Sequence, residues 1–244
     1  MKTKQLGIFF ARYDEQLPSE FLAYAKPANK TEDELSERQI RKWKSRRVAY
    51  FLLHRIFEKY HLDTKLLTDI KKTASGRPYI EHPEIDFNIS HSGDWVAVIF
   101  SVSSPKKVVG IDIEHPQKIR RFKELLAYYA GEQEIVEIQQ GNILPQLASL
   151  ESRFYLSWCL REAVLKSQGV GIVKLSEVKH SLSQLRIHSS HCPAGRLCFY
   201  HQLPFYLACF FEQPQSVLSL PPVLQWQNES FIETQITPII YQVN

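Results

Sequence analysis

The sequence predicts an α+β fold made of two similar halves. A series of apolar segments between residues 85 and 114 alternates with short turns, which is typical of β-strands. Two longer segments, 36–61 and 150–167, carry apolar residues at helical spacing and predict helices. Each half ends in a similar strand–turn–strand unit, at 87–100 and 199–211, with a long helix before it. This internal echo indicates a duplicated unit.

Composition limits the class of protein. With 244 residues, of which 44% are hydrophobic, the chain can bury the core of one large domain or two small ones. The net charge of +4 is too small for the whole surface to bind nucleic acid, so any basic function must come from local clusters. The four cysteines lack the CxxC spacing of metal or redox sites, and we expect reduced thiols without a metal or a catalytic role.

The N-terminal part of the chain predicts a cytoplasmic protein. Arg12 and Asp14 interrupt its short apolar run, which fits a first strand over residues 7–13 and not a signal peptide. No segment approaches the roughly 18 apolar residues that a membrane span requires. Cations crowd the first half of helix 36–61 without enough acids to pair with them, which favours a phosphate-bearing partner.

The remaining elements follow in order along the chain. Turns at 75–78 and 82–83 precede three strands that we expect to form a meander in one sheet, ending in strand 108–114. Residues 116–138 predict a helix or a helix–loop–helix. Short strands follow the second long helix, and the proline-rich tail beyond residue 214 is apolar enough to pack back on the body.

Two carboxylates stand within the predicted strand 108–114. Side chains alternate along a strand, so Asp112 and Glu114 share one face with Gly110, while isoleucines occupy the other. Two acids at this spacing repel each other unless a cation lies between them, and a divalent ion with oxygen ligands meets that need. Gly110 is expected to leave room for a ligand beside the backbone. The alternative is a strand whose acids simply reach solvent.

The predicted helix 150–167 mixes aromatic, acidic and basic residues on one face. Trp158, Glu162 and Lys166 follow each other at intervals of four residues. A surface Glu–Lys pair would contribute about 0.2 to 0.5 kcal/mol and would leave the tryptophan unexplained. The stripe therefore predicts the wall of a site, with Glu162 as a third carboxylate ligand of a metal.

His91 lies between two serines, Ser90 and Ser92, at a predicted turn. A Ser–His hydrolase is disfavoured, because neighbouring side chains point apart and no nucleophile-elbow glycines surround the serines. A histidine flanked by hydroxyl groups suits phosphate binding, and a purely structural turn histidine is the alternative.

Four motifs in series resemble the signature of a known enzyme family. They are SGRP, FNISHSG, VVGIDIE and FYLSWCLREAVLKSQGVGI, between residues 75 and 172. Their order and spacing are similar to those of the 4′-phosphopantetheinyl transferases, in particular the larger Sfp-like class. The resemblance implies two pseudo-symmetric α+β halves, which we place at 1–106 and 107–244, with the active site in the cleft between them. It also implies transfer of 4′-phosphopantetheine from coenzyme A to a serine hydroxyl of an apo acyl or peptidyl carrier protein, with release of 3′,5′-ADP.

The motif match implies a role for each site residue. Asp112, Glu114 and Glu162 would hold Mg²⁺ against the pyrophosphate, with Asp112 as the first ligand and Glu114, nearer the strand's end, reaching it only through water. Lys166 would neutralise or protonate the leaving phosphate, so Asp112, Glu162 and Lys166 are the predicted catalytic residues. Contacts to the phosphates or the nucleotide of coenzyme A are implied for six more residues: Arg47, Arg55, Arg77, Ser90, His91 and Arg161.

Two departures from the family pattern affect this assignment. Arg161 stands where the family usually has lysine before the helix glutamate, which replaces a point ammonium with a planar fork. The family's acidic residue after two aromatics falls on Gln133 here. The general base is therefore left open among Glu132, Glu134, Glu162 and a metal-bound water.

The partners implied are coenzyme A and an acidic carrier protein, which the basic stretch Lys118 to Lys123 would meet. We expect a monomer that binds neither nucleic acid nor membrane. One rival hypothesis is a module that binds coenzyme A or a carrier protein without catalysis. The other is a nucleic-acid-binding protein that uses the cationic helix, which the acidic cluster and the low net charge disfavour.

Overall fold

The computed structural model describes residues 5–26, 31–117, 120–214 and 219–244. The helices are α1 (Ser19–Leu22), α2 (Glu37–Lys59), α3 (Phe122–Tyr129), α4 (Glu132–Gln140) and α5 (Leu150–Ser167). The strands are β1 (Gln5–Arg12), β2 (Lys71–Lys72), β3 (Pro78–Tyr79), β4 (Ile85–Ser92), β5 (Trp95–Val102), β6 (Val109–Glu114), β7 (Lys179–Ser181), β8 (Arg186–His188), β9 (Gly195–Tyr200), β10 (Tyr206–Glu212), β11 (Val223–Gln227), β12 (Ser230–Glu233) and β13 (Ile239–Val243). Short 3₁₀ helices occupy Glu32–Glu34, Thr64–Asp69 and Ile172–Glu177.

Two sheets carry the described part of the chain. The first has the order β12-β11-β1-β5-β4 and the second the order β6-β10-β9-β13-β8-β7, while β2 and β3 pair as a small ribbon. Helix α2 packs on β1 and β5, and helix α5 packs on β6 and β10. The two halves therefore repeat one arrangement, a long helix on a sheet built around an antiparallel hairpin, which confirms the predicted α+β class.

Apolar side chains fill three layers between these elements. Phe9, Phe51 and Phe100 belong to the core between α2 and the first sheet. A second core, which includes Ile99 and Ile111, lies between the two sheets, and a third lies between the second sheet and α3, α4 and α5. Burial of each large apolar side chain contributes about 1.5 to 3 kcal/mol, so these layers provide most of the stabilisation.

Both long helices begin at a serine that the sequence supplies as an N-cap. Ser36 forms a capping box with Gln39, and the Ser149 hydroxyl accepts a hydrogen bond from the Ser152 N–H at 3.0 Å. Helix α5 is buried on almost every side, because the second sheet covers one face and α3 and α4 cover others.

Strand β6 does not continue the meander, and the predicted three-stranded sheet is wrong. β4 and β5 belong to the first sheet, whereas β6 is the edge of the second. The two edges are nevertheless neighbours, because polar side chains of β4 accept hydrogen bonds from backbone N–H groups of β6. The acceptor and donor pairs are Asp86 with Val109 (2.9 Å), Asn88 with Ile111 (3.0 Å), Ser90 with Ile113 (3.2 Å) and, just beyond β6, Ser92 with His115 (3.0 Å).

This row of hydrogen bonds, here called the seam, satisfies N–H groups that would each cost about 1 to 3 kcal/mol if buried without a partner. The chain crosses from the first sheet to the second between β5 and β6, close to the predicted boundary at residues 106 and 107. Strands β11 and β12 return to the first sheet, so the tail does pack back on the body. The division into two halves by residue range stays a prediction.

Candidate active site

The seam brings β6 and α5 together around a group of carboxylates, here called the acid cluster: Asp112, Glu114 and Glu162, with Lys166. Lys166 Nζ lies 2.5 Å from Asp112 Oδ1 and 3.9 Å from Glu162 Oε2. Ser90 Oγ lies 3.2 Å from both Asp112 Oδ1 and Lys166 Nζ. The charged residues that share one face of β6 and those that share one face of α5 therefore meet at one place, as their sequence patterns predict.

Glu114 lies at the outer end of this group. Its carboxylate accepts hydrogen bonds from Ser92 Oγ at 3.2 Å and from Arg120 Nη2 at 3.3 Å. Burial and the neighbouring Asp112 raise the pKa of Glu114, and Arg120 offsets only part of that effect. Glu114 is thus near the other acids but has partners of its own.

The acid cluster holds more acids than the cations around it neutralise. Burial and the charges of Asp112 and Glu114 raise the pKa of Glu162 to about 7, although Lys166 acts in the opposite direction. Burial lowers the pKa of Lys166, but Asp112 and Glu162 outweigh it and the net pKa is raised. Excess acid in a buried place is an arrangement that a further cation would stabilise.

The donor chemistry of the acid cluster fits a hard divalent cation. All three acids offer oxygen atoms, and Asp112 Oδ2 is buried without a hydrogen-bond partner among the described residues. The spacing does not form a finished cage, since no group of three or more potential ligands in the described ranges is arranged to hold a metal. Lys166 contacts the other Asp112 oxygen, Oδ1, so Oδ2 is the oxygen that a cation could contact without displacing the lysine.

Gly110 serves a different purpose from the one predicted. A Cβ atom at Gly110 would lie 2.1 Å from the carbonyl oxygen of Ala163 in α5. The missing side chain therefore lets the helix approach the strand, and the interpretation that it leaves room for a ligand is wrong.

A groove of about 320 Å³ opens beside His91, at the first sheet and α2. Arg46 and Lys72 line it together with Tyr24 and Gly76. Burial lowers the pKa of His91, and the nearby cations Lys166 and Arg46 lower it further, so the imidazole is neutral at neutral pH. The lining of the groove is mostly apolar, and the two cations and the His91 ring within it can bind phosphate groups.

Arg46 and Lys72 line this groove, whereas the sequence prediction selected Arg47 and Arg55 for the phosphate contacts. Arg47 is buried, with its guanidinium 4.9 Å from the Trp43 ring centroid. Trp43, Arg47 and Phe51 follow one another at intervals of four residues. This spacing would have placed Arg47 on the buried stripe of α2.

Arg55 lies in another part of α2. Its guanidinium pairs with Glu58 at 2.7 Å and stacks on Phe51 and Trp226, beside a different surface cavity. The structure therefore does not bring Arg55 to the groove of His91.

Arg77 and Arg161 are tied into the protein. Arg77 donates to Asp86, to the Val109 carbonyl and to the Lys166 carbonyl. Arg161 is 1% exposed and lies in a buried group here called the Arg161 network: Arg161, Glu134, Ser157 and His180.

The family follows from similarity along most of the sequence. A Haemophilus influenzae protein whose name assigns it to the 4′-phosphopantetheinyl transferases is 44% identical over 235 residues, which cover 94% of this chain and 93% of the relative. The chain belongs to the 4′-phosphopantetheinyl transferase superfamily. The model of that superfamily matches residues 108–219, which include the acid cluster. The predicted family and transferase class are confirmed.

Two further transferases match shorter parts of the chain. The psf-1 4′-phosphopantetheinyl transferase of Bacillus pumilus is 30% identical over 149 residues, which cover 57% of this chain and 59% of the relative. A phosphopantetheinyl transferase of Thraustochytrium is 32% identical over 118 residues, covering 43% and 38%. Within the described residues, no helix combines the length and the apolar character that a membrane crossing requires.

In this phosphopantetheinyl transferase, Glu134 is not available as a general base. Arg161 Nη1 donates to it at 2.7 Å, and His180 Nδ1 lies 2.9 Å away. Burial raises the pKa of Glu134, but the His180 hydrogen bond and the Arg161 charge bring it down to about 2. Glu132 and Gln133 are exposed at the start of α4. The planar fork of Arg161 thus serves a bidentate carboxylate contact.

The predicted basic stretch is only partly helical. Helix α3 begins at Phe122, so Arg120 and Arg121 precede it and Lys123 lies in its first turn. Lys118 lies outside the described residues. Arg121 and Lys123 are exposed, and so is Tyr128 of the same helix.

Proposed function

We propose that the protein transfers 4′-phosphopantetheine from coenzyme A to a serine hydroxyl of an apo carrier protein, with release of 3′,5′-ADP. The observation that carries the proposal is the convergence of Asp112, Glu162 and Lys166, in a chain of this family. Displacement at a pyrophosphate depends mostly on positioning and on neutralisation of oxygen charge, and this site offers both.

The groove is where we expect coenzyme A to bind. Arg46 and Lys72 are placed to neutralise its phosphates, and neutral His91 can donate or accept a hydrogen bond there. Ser90 stays a candidate for a phosphate contact, because its hydroxyl faces the Lys166 ammonium. Lys166 would stabilise the charge that develops on the leaving phosphate, since its raised pKa keeps it protonated.

Asp112 and Glu162 are the residues that we expect to hold Mg²⁺, with Glu114 as the outer acid. When bound, Mg²⁺ supplies Lewis-acid neutralisation of the pyrophosphate oxygens. Lys166 would then exchange its contact with Asp112 for the leaving phosphate. The serine proton would pass to Glu162 or to a metal-bound water, and a bound cation would lower the pKa of Glu162 below the value of about 7 that it has in the metal-free protein.

The carrier protein is expected to approach α3. Arg121, Lys123 and the exposed ring of Tyr128 offer a basic surface with an apolar centre to an acidic helical partner. A monomeric state and a cytoplasmic location stay predictions of the sequence.

The test is incubation of the protein with coenzyme A, Mg²⁺ and each of several apo carrier proteins, followed by intact-mass measurement of the carrier. We expect a gain of one phosphopantetheine group that disappears when a chelator removes the metal. Binding of coenzyme A without any mass gain would favour the rival hypothesis of a binding module. The ranking of carriers by kcat/KM would identify the pathway served.

A further inference from the structure

Arg77 occupies the junction between the two sheets and the end of α5. Its side chain is 10% exposed, and its Nη2 atom donates to Asp86 Oδ2 at 2.8 Å and to the Val109 carbonyl at 3.2 Å. Its Nε atom donates to the carbonyl of Lys166 at 3.0 Å. One guanidinium therefore contacts β4, β6 and the last turn of α5 at the same time.

The turn that carries Arg77 is itself fitted against the end of α5. The backbone N–H of Arg77 donates to Thr73 Oγ1, which fixes the turn. Gly169 follows α5 with a positive φ of 66°, and a Cβ atom there would lie 2.9 Å from Ser75 Oγ. A cation at the C-terminus of a helix also interacts favourably with its carbonyl dipoles. This packing sets the height of the last turn of α5 relative to β6.

Lys166 depends on that height, because its ammonium must reach Asp112 on β6 from the last turn of the helix. We infer that Arg77 is a positioning residue that holds Lys166 in place for the transfer, and that it is not a ligand of a coenzyme A phosphate. The inference rests on the proposed function. It assigns the phosphate contacts of the groove to Arg46 and Lys72, which line it.

A positioning role and a phosphate-binding role of Arg77 predict different kinetics for a substitution at this residue. In R77K, one ammonium cannot replace the planar fork at three acceptors, so Lys166 loses its position. We expect kcat to fall about 10-fold to 100-fold, because small displacements of a catalytic group have effects of this size, while KM for coenzyme A is unchanged. Calorimetry should show that R77K binds coenzyme A with the wild-type affinity. It should also bind 3′-dephospho-coenzyme A with the affinity that wild type has for that ligand.

D86N is the second variant. It tests the proposal even if R77K does not fold. It weakens the hold on Arg77 while an amide oxygen still accepts from Val109 N. A positioning role predicts a fall in kcat in D86N, whereas a phosphate ligand released from Asp86 would bind coenzyme A at least as tightly with kcat unchanged. R186K, the same change at an exposed arginine of β8, is the control and should match wild type.

Results that overturn the inference are distinct from those that overturn the function. A raised KM for coenzyme A in R77K, with loss of discrimination against 3′-dephospho-coenzyme A, would make Arg77 a phosphate ligand. Unchanged kcat and KM in R77K would remove any role. An inactive wild type in the same assay would overturn the proposed function itself.

Discussion

Helix α5 separates two groups of charged side chains that differ in charge balance. Neighbouring residues, Arg161 and Glu162, point into different groups. In the Arg161 network, Glu134 has an arginine and a histidine as partners, and its pKa falls to about 2. In the acid cluster, acids outnumber the nearby cations, and the pKa of Glu162 rises to about 7.

The difference separates a structural role from a functional one. In a buried network whose charges balance, no excess charge is left for a further ion to neutralise. In the acid cluster the acids exceed the nearby cations, so a further cation is attracted to it, and a substrate-bound metal can supply that charge. The four predictions below follow from this comparison.

Disruption of the Arg161 network should reduce stability most. E134Q leaves the Arg161 guanidinium buried without a counter-charge, so we expect a loss of about 3 to 5 kcal/mol in the free energy of unfolding. Urea unfolding measures it. E177Q is the matched control, because Glu177 pairs with a lysine and a histidine at an exposed place, and its free energy of unfolding should stay close to that of wild type. Equal losses in the two variants would contradict the comparison.

Changes in the acid cluster should affect turnover more than stability. D112N and E162Q remove oxygen ligands and charge from the site, so we expect kcat/KM to fall by a factor of about 100 to 1000. Metal-free E162Q should unfold at or above the wild-type temperature, since the change relieves repulsion, whereas metal-free D112N should unfold at a lower temperature than E162Q because it also breaks the ion pair with Lys166. E233Q, at an exposed position of β12, should leave both quantities unchanged. Full activity in either cluster variant would mean that the metal site lies elsewhere.

Acid should destabilise the fold through the Arg161 network. The pKa of Glu134 is lowered from 4.5 to about 2, so its contribution is complete above pH 4.5 and is lost as the pH falls toward 2. The size of that loss is about 3 kcal/mol. Burial lowers the pKa of His180 below 6.5, so the unfolded chain takes up its proton first and stability already declines below pH 6.5.

Unfolding curves of wild type and E134Q at several pH values measure this effect. The step between pH 4.5 and pH 2 should be absent in E134Q. A step of equal size in both proteins would show that another group causes the acid sensitivity.

The smallest of the four effects is expected for substitutions of two adjacent arginines of α2. R46A removes a cation that lines the groove, and we expect KM for coenzyme A to rise about fivefold, which corresponds to about 1 kcal/mol. R47A removes a buried cation that stacks on Trp43, so it should lower the unfolding temperature and leave KM unchanged. Steady-state kinetics and thermal unfolding of both variants decide the matter. A raised KM in R47A together with a lowered unfolding temperature in R46A would mean that Arg47, and not Arg46, contacts coenzyme A.

Much of the acid cluster could be predicted from local sequence. Alternation along β6 places Asp112 and Glu114 on one face, and the helical period places Glu162 and Lys166 together. These relations depend only on backbone geometry over a few residues. The class of fold was predictable for the same reason, because each strand and long helix carries its own apolar period.

The partners of the arginines required the tertiary structure. Sequence similarity placed Arg77 and Arg161 beside phosphates, yet Arg77 contacts the seam and Arg161 contacts Glu134. Which groups meet a long side chain depends on how α5 is rotated and raised against β6 and α4, and contacts far apart in the chain determine that.

The sequence by itself thus determined the elements, their buried faces and the acids that share a face. Only the tertiary structure decided that β4 and β6 meet through side chains, that Gly110 admits a helix, and that Arg46 and not Arg47 lines the groove. The physical reason is the range of the interactions. Local periods follow from one segment of backbone, whereas charge pairing and close approach depend on the packing of all segments together.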